Sequence, residues 1–276
     1  MPASRSANRN VSSTAPAARR HSFWPLLLIG VLAALLMLIV ALPASLVARL
    51  LPPNVRAEDM SGTVWHGVAG KLVVGGIDAG AVEWRLHPAA LLHLALDADV
   101  HWVKLGLALD ADAEIGRGAW RATAVRGGGP IADLHAAGVA AGWRGIASVD
   151  LTRLAGNFSA GNFAPIASIM GAIRVSNLAS PQVAGGASLG GYVLRFDAAA
   201  VDDRGAVTAH VSDIGGPLQL QATLTASPRE HRGLVSGTLA ARAGAAPELR
   251  ALVDNLARAR GRDAQGRVPV DVEITF

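Results

Sequence analysis

Leu218-Gln219-Leu220-Gln221-Ala222-Thr223-Leu224-Thr225-Ala226 puts an apolar side chain at every second position and a polar one between. Successive side chains of a strand point to opposite faces, so this reads as a strand with one buried and one wet face. The pattern recurs on both sides. Downstream, Pro228 to Gly233 reads as a turn and Leu234 to Arg242 as the returning strand. Val268, Val270, Val272, Ile274 and Phe276 alternate with Asp271, Glu273 and Thr275. Between them, Leu249, Leu252, Val253 and Leu256 fall at helical spacing, with Pro247 at the start and Gly261 past the end. That is the one amphipathic helix expected outside the amino-terminal region. Upstream, Gly215-Gly216-Pro217 breaks the chain. Val207, Ala209 and Val211 form another alternation, Asp202-Asp203-Arg204-Gly205 a turn, and Leu189 to Asp197 a further strand.

The first half carries the same signal. Lys71 to Val74 reads as a strand and Gly75-Gly76 as a turn, and Val82, Trp84 and Leu86 alternate with Glu83, Arg85 and His87. From Leu92 to Trp102 the even positions are apolar. From Val103 to Leu109 the odd ones are. A one-residue slip flips every side chain, so a bulge or bend is expected near Trp102-Val103. Gly116-Arg117-Gly118 reads as a hairpin turn before a strand from Trp120 to Val125. Gly127-Gly128-Gly129-Pro130 is expected to break the sheet, with a sub-boundary at 127–130. Residues 131–186 carry only short strand-like runs, Ile146–Leu151 and Ala172–Val175. Short strands joined by glycine-rich turns predict a mainly β chain: a large, antiparallel, twisted sheet. A sheet apolar on one face must fold over itself, pack on helices, or have that face covered otherwise.

The exception to this pattern is Phe23 to Leu42, FWPLLLIGVLAALLMLIVAL, which holds no charge and in which twelve residues are Leu, Ile or Val. A twenty-residue helix reaches roughly 30 Å, the hydrocarbon thickness of a bilayer. A cleaved signal would have a shorter apolar run and small residues before the cut, and Leu42-Pro43-Ala44-Ser45 offers no good A-x-A pattern. The expectation is a single membrane anchor over 23–42, with Phe23, Trp24 and Leu42 at its ends and Trp24 at interface depth. Arg5, Arg9, Arg19 and Arg20 make residues 1–22 a basic tail without acidic residues, so the tail is expected to be disordered and cytoplasmic, and the rest across the membrane. Residues 43–60 read as a membrane-proximal linker and 61–276 as the β-rich domain.

Composition excludes several classes. There is no cysteine, hence no disulfide, thiolate metal site or cysteine nucleophile. The surplus of 25 Lys+Arg over 21 Asp+Glu is wholly the four tail arginines, so the exported part is formally neutral and has no bulk attraction for nucleic acid. His93 and His101 share a strand face but stand roughly 26 Å apart at 3.3 Å per residue, too far for one ion. Asp97 and Asp99 point the same way about 6.6 Å apart at the backbone, yet no further polar cluster accompanies them, and a wet strand face accounts for both. Gly67-Val68-Ala69-Gly70-Lys71 lacks the first glycine spacing and the Ser/Thr of a phosphate loop. No H-E-x-x-H occurs. The closing run Val270–Phe276 is like the last strand of an outer-membrane barrel, but 4% aromatics cannot build two girdles. No enzyme, metal or cofactor is expected.

Certain segments then form an order. Ser61-Gly62-Thr63-Val64-Trp65-His66-Gly67 is followed by Trp84-Arg85-Leu86-His87-Pro88, then by Gly215-Gly216-Pro217-Leu218, the helix around Leu249–Leu256, and Gly266-Arg267-Val268 opening the last strand. This order, behind a basic tail and one anchor, resembles the type II secretion system protein N family over about residues 40–276. The resemblance implies a non-catalytic, single-pass inner-membrane component with a periplasmic domain. Its partners would be inner-membrane platform proteins and the secretin of the machine that exports folded proteins. Ser61, Gly62, Thr63, Trp65, Gly67, Trp84, Leu86 and Pro88 carry the motif and are the candidate interface, although Trp65 and Trp84 read first as core aromatics closing the sheet, because amphipathic strands bury their large residues. A weaker likeness to anchored envelope proteins of the AsmA type implies an apolar β-groove binding or moving lipid.

Overall fold

In the computed structural model each strand pairs antiparallel with its neighbour in the chain. The structure describes residues 24–49, 51, 55–74, 76–93, 95–104, 106–116, 118–132, 142–159, 162–227 and 232–275. The chain divides into two units, Met1–Ala41 and Leu42–Phe276.

The first unit contains helix α1, Trp24–Val40. Its 17 residues reach ~25 Å at 1.5 Å each, and Leu28, Leu32, Met37 and Leu38 are each more than half exposed. Of the span expected over 23–42 the described helix covers 24–40: Phe23 lies outside the described residues and Leu42 follows the helix. Among the described residues no helix is long and apolar enough to cross a membrane.

Near the start of the second unit Pro43 bridges Thr63, and a one-turn helix α2, Ser45–Ala48, follows. Seven strands follow in the first half: β1 Val55–Gly62, β2 His66–Val74, β3 Ile77–Leu86, β4 Leu96–Lys104, β5 Leu107–Ile115, β6 Ala119–Pro130 and β7 Arg144–Ser159. Then come β8 Asn162–Ala179, β9 Ser188–Phe196, β10 Val207–Asp213, β11 Leu218–Ser227, β12 Arg232–Ala241, helix α3 Pro247–Arg260, and β13 Val268–Thr275. The strands form one thirteen-stranded sheet in sequence order, β1 through β13. β11, α3 and β13 match the sequence expectation closely.

Four expectations are corrected. The phase change at Trp102-Val103 is no bulge. It is a hairpin between β4 and β5, where Lys104 pairs with Leu107 and Gly106 takes φ +83°. In a two-residue hairpin an even-numbered residue faces an odd-numbered one, so the apolar parity switches while the face stays the same. The strand expected from Leu92 begins at Leu96, after a 3₁₀ turn at Pro88–His93. Gly127–Pro130 does not split the sheet but lies inside β6, with Gly127 and Gly128 paired on both sides. A Cβ on Gly127 would stand 1.9 Å from the Ala108 carbonyl oxygen, and one on Gly128 2.2 Å from that of Ala147, so the glycines permit a close strand approach. The weakly read stretch 131–186 holds the two longest strands, β7 and β8, whose alternation is hidden by four register shifts between them. In addition, β1 starts at Val55, inside the stretch read as a linker.

The register aligns one apolar row across all thirteen strands. It runs Met60, Ala69, Val82, Trp102, Leu109 and Gly127 on β1–β6. It continues as Val149, Ile173, Leu194, Val211, Ala222, Gly237 and Val270 on β7–β13. At ~4.8 Å between strands it follows the sheet for ~60 Å. The neighbouring row on the other face is largely polar, running Glu83, His101, Asp110, Arg126 and Asp150 on β3–β7. Two buried clusters sit along the apolar face. Val125, Leu151, Ile169, Phe196 and Ala209 form the central one. Leu218, Val268 and Tyr192 form the other with Leu249 and Val253 of α3, each of which is 1% exposed. The amphipathic helix therefore roofs only the β9–β13 end.

Candidate functional site

The motif residues of the first half meet in one corner. Gly62 turns the chain at φ +88°, and a Cβ there would lie 2.4 Å from the His66 carbonyl oxygen. The Thr63 amide donates to that oxygen (2.8 Å), and the His66 amide donates to Thr63 Oγ1 (3.1 Å). Val64 donates its amide to Leu42 (2.9 Å) and accepts the Trp84 indole N–H (2.9 Å). The Trp84 ring lies over Gly67, where a Cβ would stand 2.4 Å from its Cζ2. The Leu86 amide donates to the Trp65 carbonyl (2.7 Å), and Pro88 opens the 3₁₀ turn. Ser61 and Gly62 close β1. The spacing from Ser61 to Gly67 is what a β1–β2 turn capped by a cross-strand tryptophan requires. A second Trp-on-Gly pair stands at Trp120 and Gly156, 2.6 Å from indole nitrogen to the added Cβ. Of the expected anchor residues, Trp24 is the first residue of α1, with its side chain outside those described.

The polar face carries histidine–carboxylate pairs: His66 with Glu83 (3.2 Å), His101 with Asp110 (2.6 Å) and His210 with Asp197 (3.6 Å). His87 stands between Asp97 (3.9 Å) and Asp99 (3.4 Å), which gives the two carboxylates a structural partner. All are well exposed, and such pairs contribute ~0–1 kcal/mol each. Among the described residues no group of three or more His, Asp or Glu side chains is placed to hold a metal ion.

The apolar face opens into a cavity of about 390 Å³. It is lined by Ile131, Trp143, Val175, Leu178, Tyr192, Leu194 and Leu220, almost without polar surface. Leu194 belongs to the thirteen-strand row, so the cavity is continuous with it. The Tyr192 hydroxyl donates to the Leu189 carbonyl at 2.7 Å, turned away from the need for an outside partner. Burial, then the nearby Asp213 charge, push its pKa up to about 12, against the opposing pull of Arg242. Asp213 itself accepts from Arg242 (2.5 Å), the Leu220 amide (3.1 Å) and the Gly215 amide (3.4 Å). Burial pushes its carboxyl up, but the guanidinium and those amides outweigh burial and hold it below the usual carboxylate range. Gly215 and Gly216 take φ +105° and +126°, and Arg242 also donates to the Gly216 carbonyl (2.8 Å). The Gly-Gly-Pro-Leu segment is therefore the turn that positions Leu220 over the cavity.

Of the seven lining residues, Leu220 was named from its alternation and Val175 as the end of a strand-like run; Ile131, Trp143, Leu178, Tyr192 and Leu194 were not singled out from sequence. The alternation of Leu218 and Leu220, and the strand Leu189–Asp197, were the available signals. The family model described as Type II secretion system (T2SS), protein N matches residues 53–271. No curated protein and no solved structure matches the chain.

Proposed function

The chain belongs to the type II secretion system protein N family, with an accessory role in type II secretion, and from that premise we propose that it is a non-catalytic scaffold of the envelope. Residues 23–42 act as a single inner-membrane anchor with the basic tail 1–22 in the cytoplasm and the sheet in the periplasm. The sheet contacts inner-membrane platform proteins and the secretin. The observation that carries this is the sheet itself: thirteen strands end in β1 and β13, which among the described residues pair on one side only. Unpaired strand edges accept a partner's strand by backbone hydrogen bonding. The corner around Trp65 and Trp84 is the second contact surface of the proposal, next to β1.

Because the chain has no cysteine, topology can be read with single substitutions. In intact cells a membrane-impermeant maleimide that reaches the periplasm labels Asp203→Cys, and labels Ser12→Cys only after lysis. The opposite pattern refutes the orientation. Crosslinking in native membranes traps platform proteins or the secretin; recovery of phospholipid-transport proteins alone refutes the scaffold.

A further inference from the structure

We infer that the cavity between β8, β9 and β11 binds an acyl chain of a phospholipid. This goes beyond the secretion role and does not rest on it.

The argument is an accounting of hydrogen bonds. Any protein segment entering the cavity brings one N–H and one C=O per residue, each costly to bury without a partner. Trp143, Val175, Leu178, Leu194 and Leu220 give it almost nothing polar to pair with. Among the described lining residues the one hydroxyl, on Tyr192, is committed to Leu189. The guanidinium of Arg242, whose charge acts on Tyr192, is committed to Asp213 and the Gly216 carbonyl. Protein interfaces mix polar and apolar area and carry about ten hydrogen bonds; this surface is of another kind. A hydrocarbon chain has no polar atom to satisfy. It gains from removal of apolar area from water alone.

Size and continuity agree. At about 390 Å³ the cavity falls in the ~300–1,000 Å³ range of small-molecule sites. Through Leu194 it joins an uncharged row that crosses every strand. One end of that face is already roofed by α3 through Leu249 and Val253. Beyond α3 the face runs out along apolar, half-buried side chains such as Val149, Ile173 and Val211. A chain seated in the cavity can therefore extend along the row while its charged headgroup stays in water.

The test places the photocrosslinker p-benzoylphenylalanine in the full chain in living cells. It replaces Leu220, or in a second variant Val175, so that one misfolded variant does not end the experiment. Thr223, on the opposite face of β11, is the control. Intact-mass analysis of the purified chain after irradiation gives the adduct. Phospholipid adducts several-fold more abundant at Leu220 and Val175 than at Thr223 are expected. Equal lipid yield on both faces, a protein adduct at the cavity positions (a second copy included), or no adduct at either cavity position overturns the inference.

Discussion

Alkaline titration of Tyr192 tests the packing at the cavity directly, because it is the single tyrosine of the chain. The side chain is 9% exposed and its hydroxyl donates to Leu189 at 2.7 Å. Ionisation removes that donor and places a negative charge in an apolar site beside Asp213. A pKa of about 12 against the ordinary 10 is a difference of two units, or ~3 kcal/mol by linkage. The folded-state pKa is the raised one. The stability it contributes is therefore complete below about pH 10 and is lost as pH rises toward 12. The full chain in nanodiscs, followed by tyrosinate absorbance with circular dichroism in parallel, should show ionisation delayed past pH 10 and coupled to unfolding. Asp213→Asn should bring the midpoint down without returning it to 10, since burial is the larger cause. A midpoint at the ordinary value with the sheet intact would refute the burial of Tyr192 at the cavity wall.

Asp213 supplies the acid counterpart. Its depressed carboxyl contributes stability above about pH 4, the unfolded value, and loses it as pH falls through the lower folded value. Urea midpoints measured against pH should fall in that window for the native chain and stay flatter for Asp213→Asn. Leu249→Ala in α3, from a site 1% exposed, should cost ~2–5 kcal/mol by urea denaturation, and a cost below 1 would mean that the helix is not packed as described. Gly67→Ala drives a Cβ into the Trp84 ring, 2.4 Å away, at ~1–3 kcal/mol. In a Trp84→Ala background the share due to the ring should be lost while the contact with the Thr63 carbonyl oxygen, 2.8 Å from the added Cβ, stays, and an unchanged cost in the double-mutant cycle would remove Trp84 from that contact.

Legibility followed the range of the interactions involved. Alternation over Leu218–Ala226 and Val268–Ile274, and the 3.6-residue stripe of α3 between Pro247 and Gly261, are local signals. They gave strands and helix with nearly correct bounds. The hairpin between β4 and β5 was misread because a two-residue turn flips parity as a bulge does, and only the pairing of Lys104 with Leu107 separates the two. Gly127–Gly129 read as a break for a related reason. Glycine marks either a turn or a close approach of two backbones, and the choice rests with Ala108 and Ala147, distant in sequence or on another strand. β7 and β8 lost their periodicity to bulges.

The sequence by itself determined that this chain is an apolar amino-terminal run followed by amphipathic strands and one amphipathic helix, and its ordered motifs pointed to the family. Tertiary structure alone decided that thirteen strands pair in chain order and that their apolar residues register into one row. It also brought Ile131, Trp143 and Tyr192 around a common cavity. Side-chain periodicity is set within a few residues, whereas a cavity exists only where strands and loops tens of residues apart are brought together.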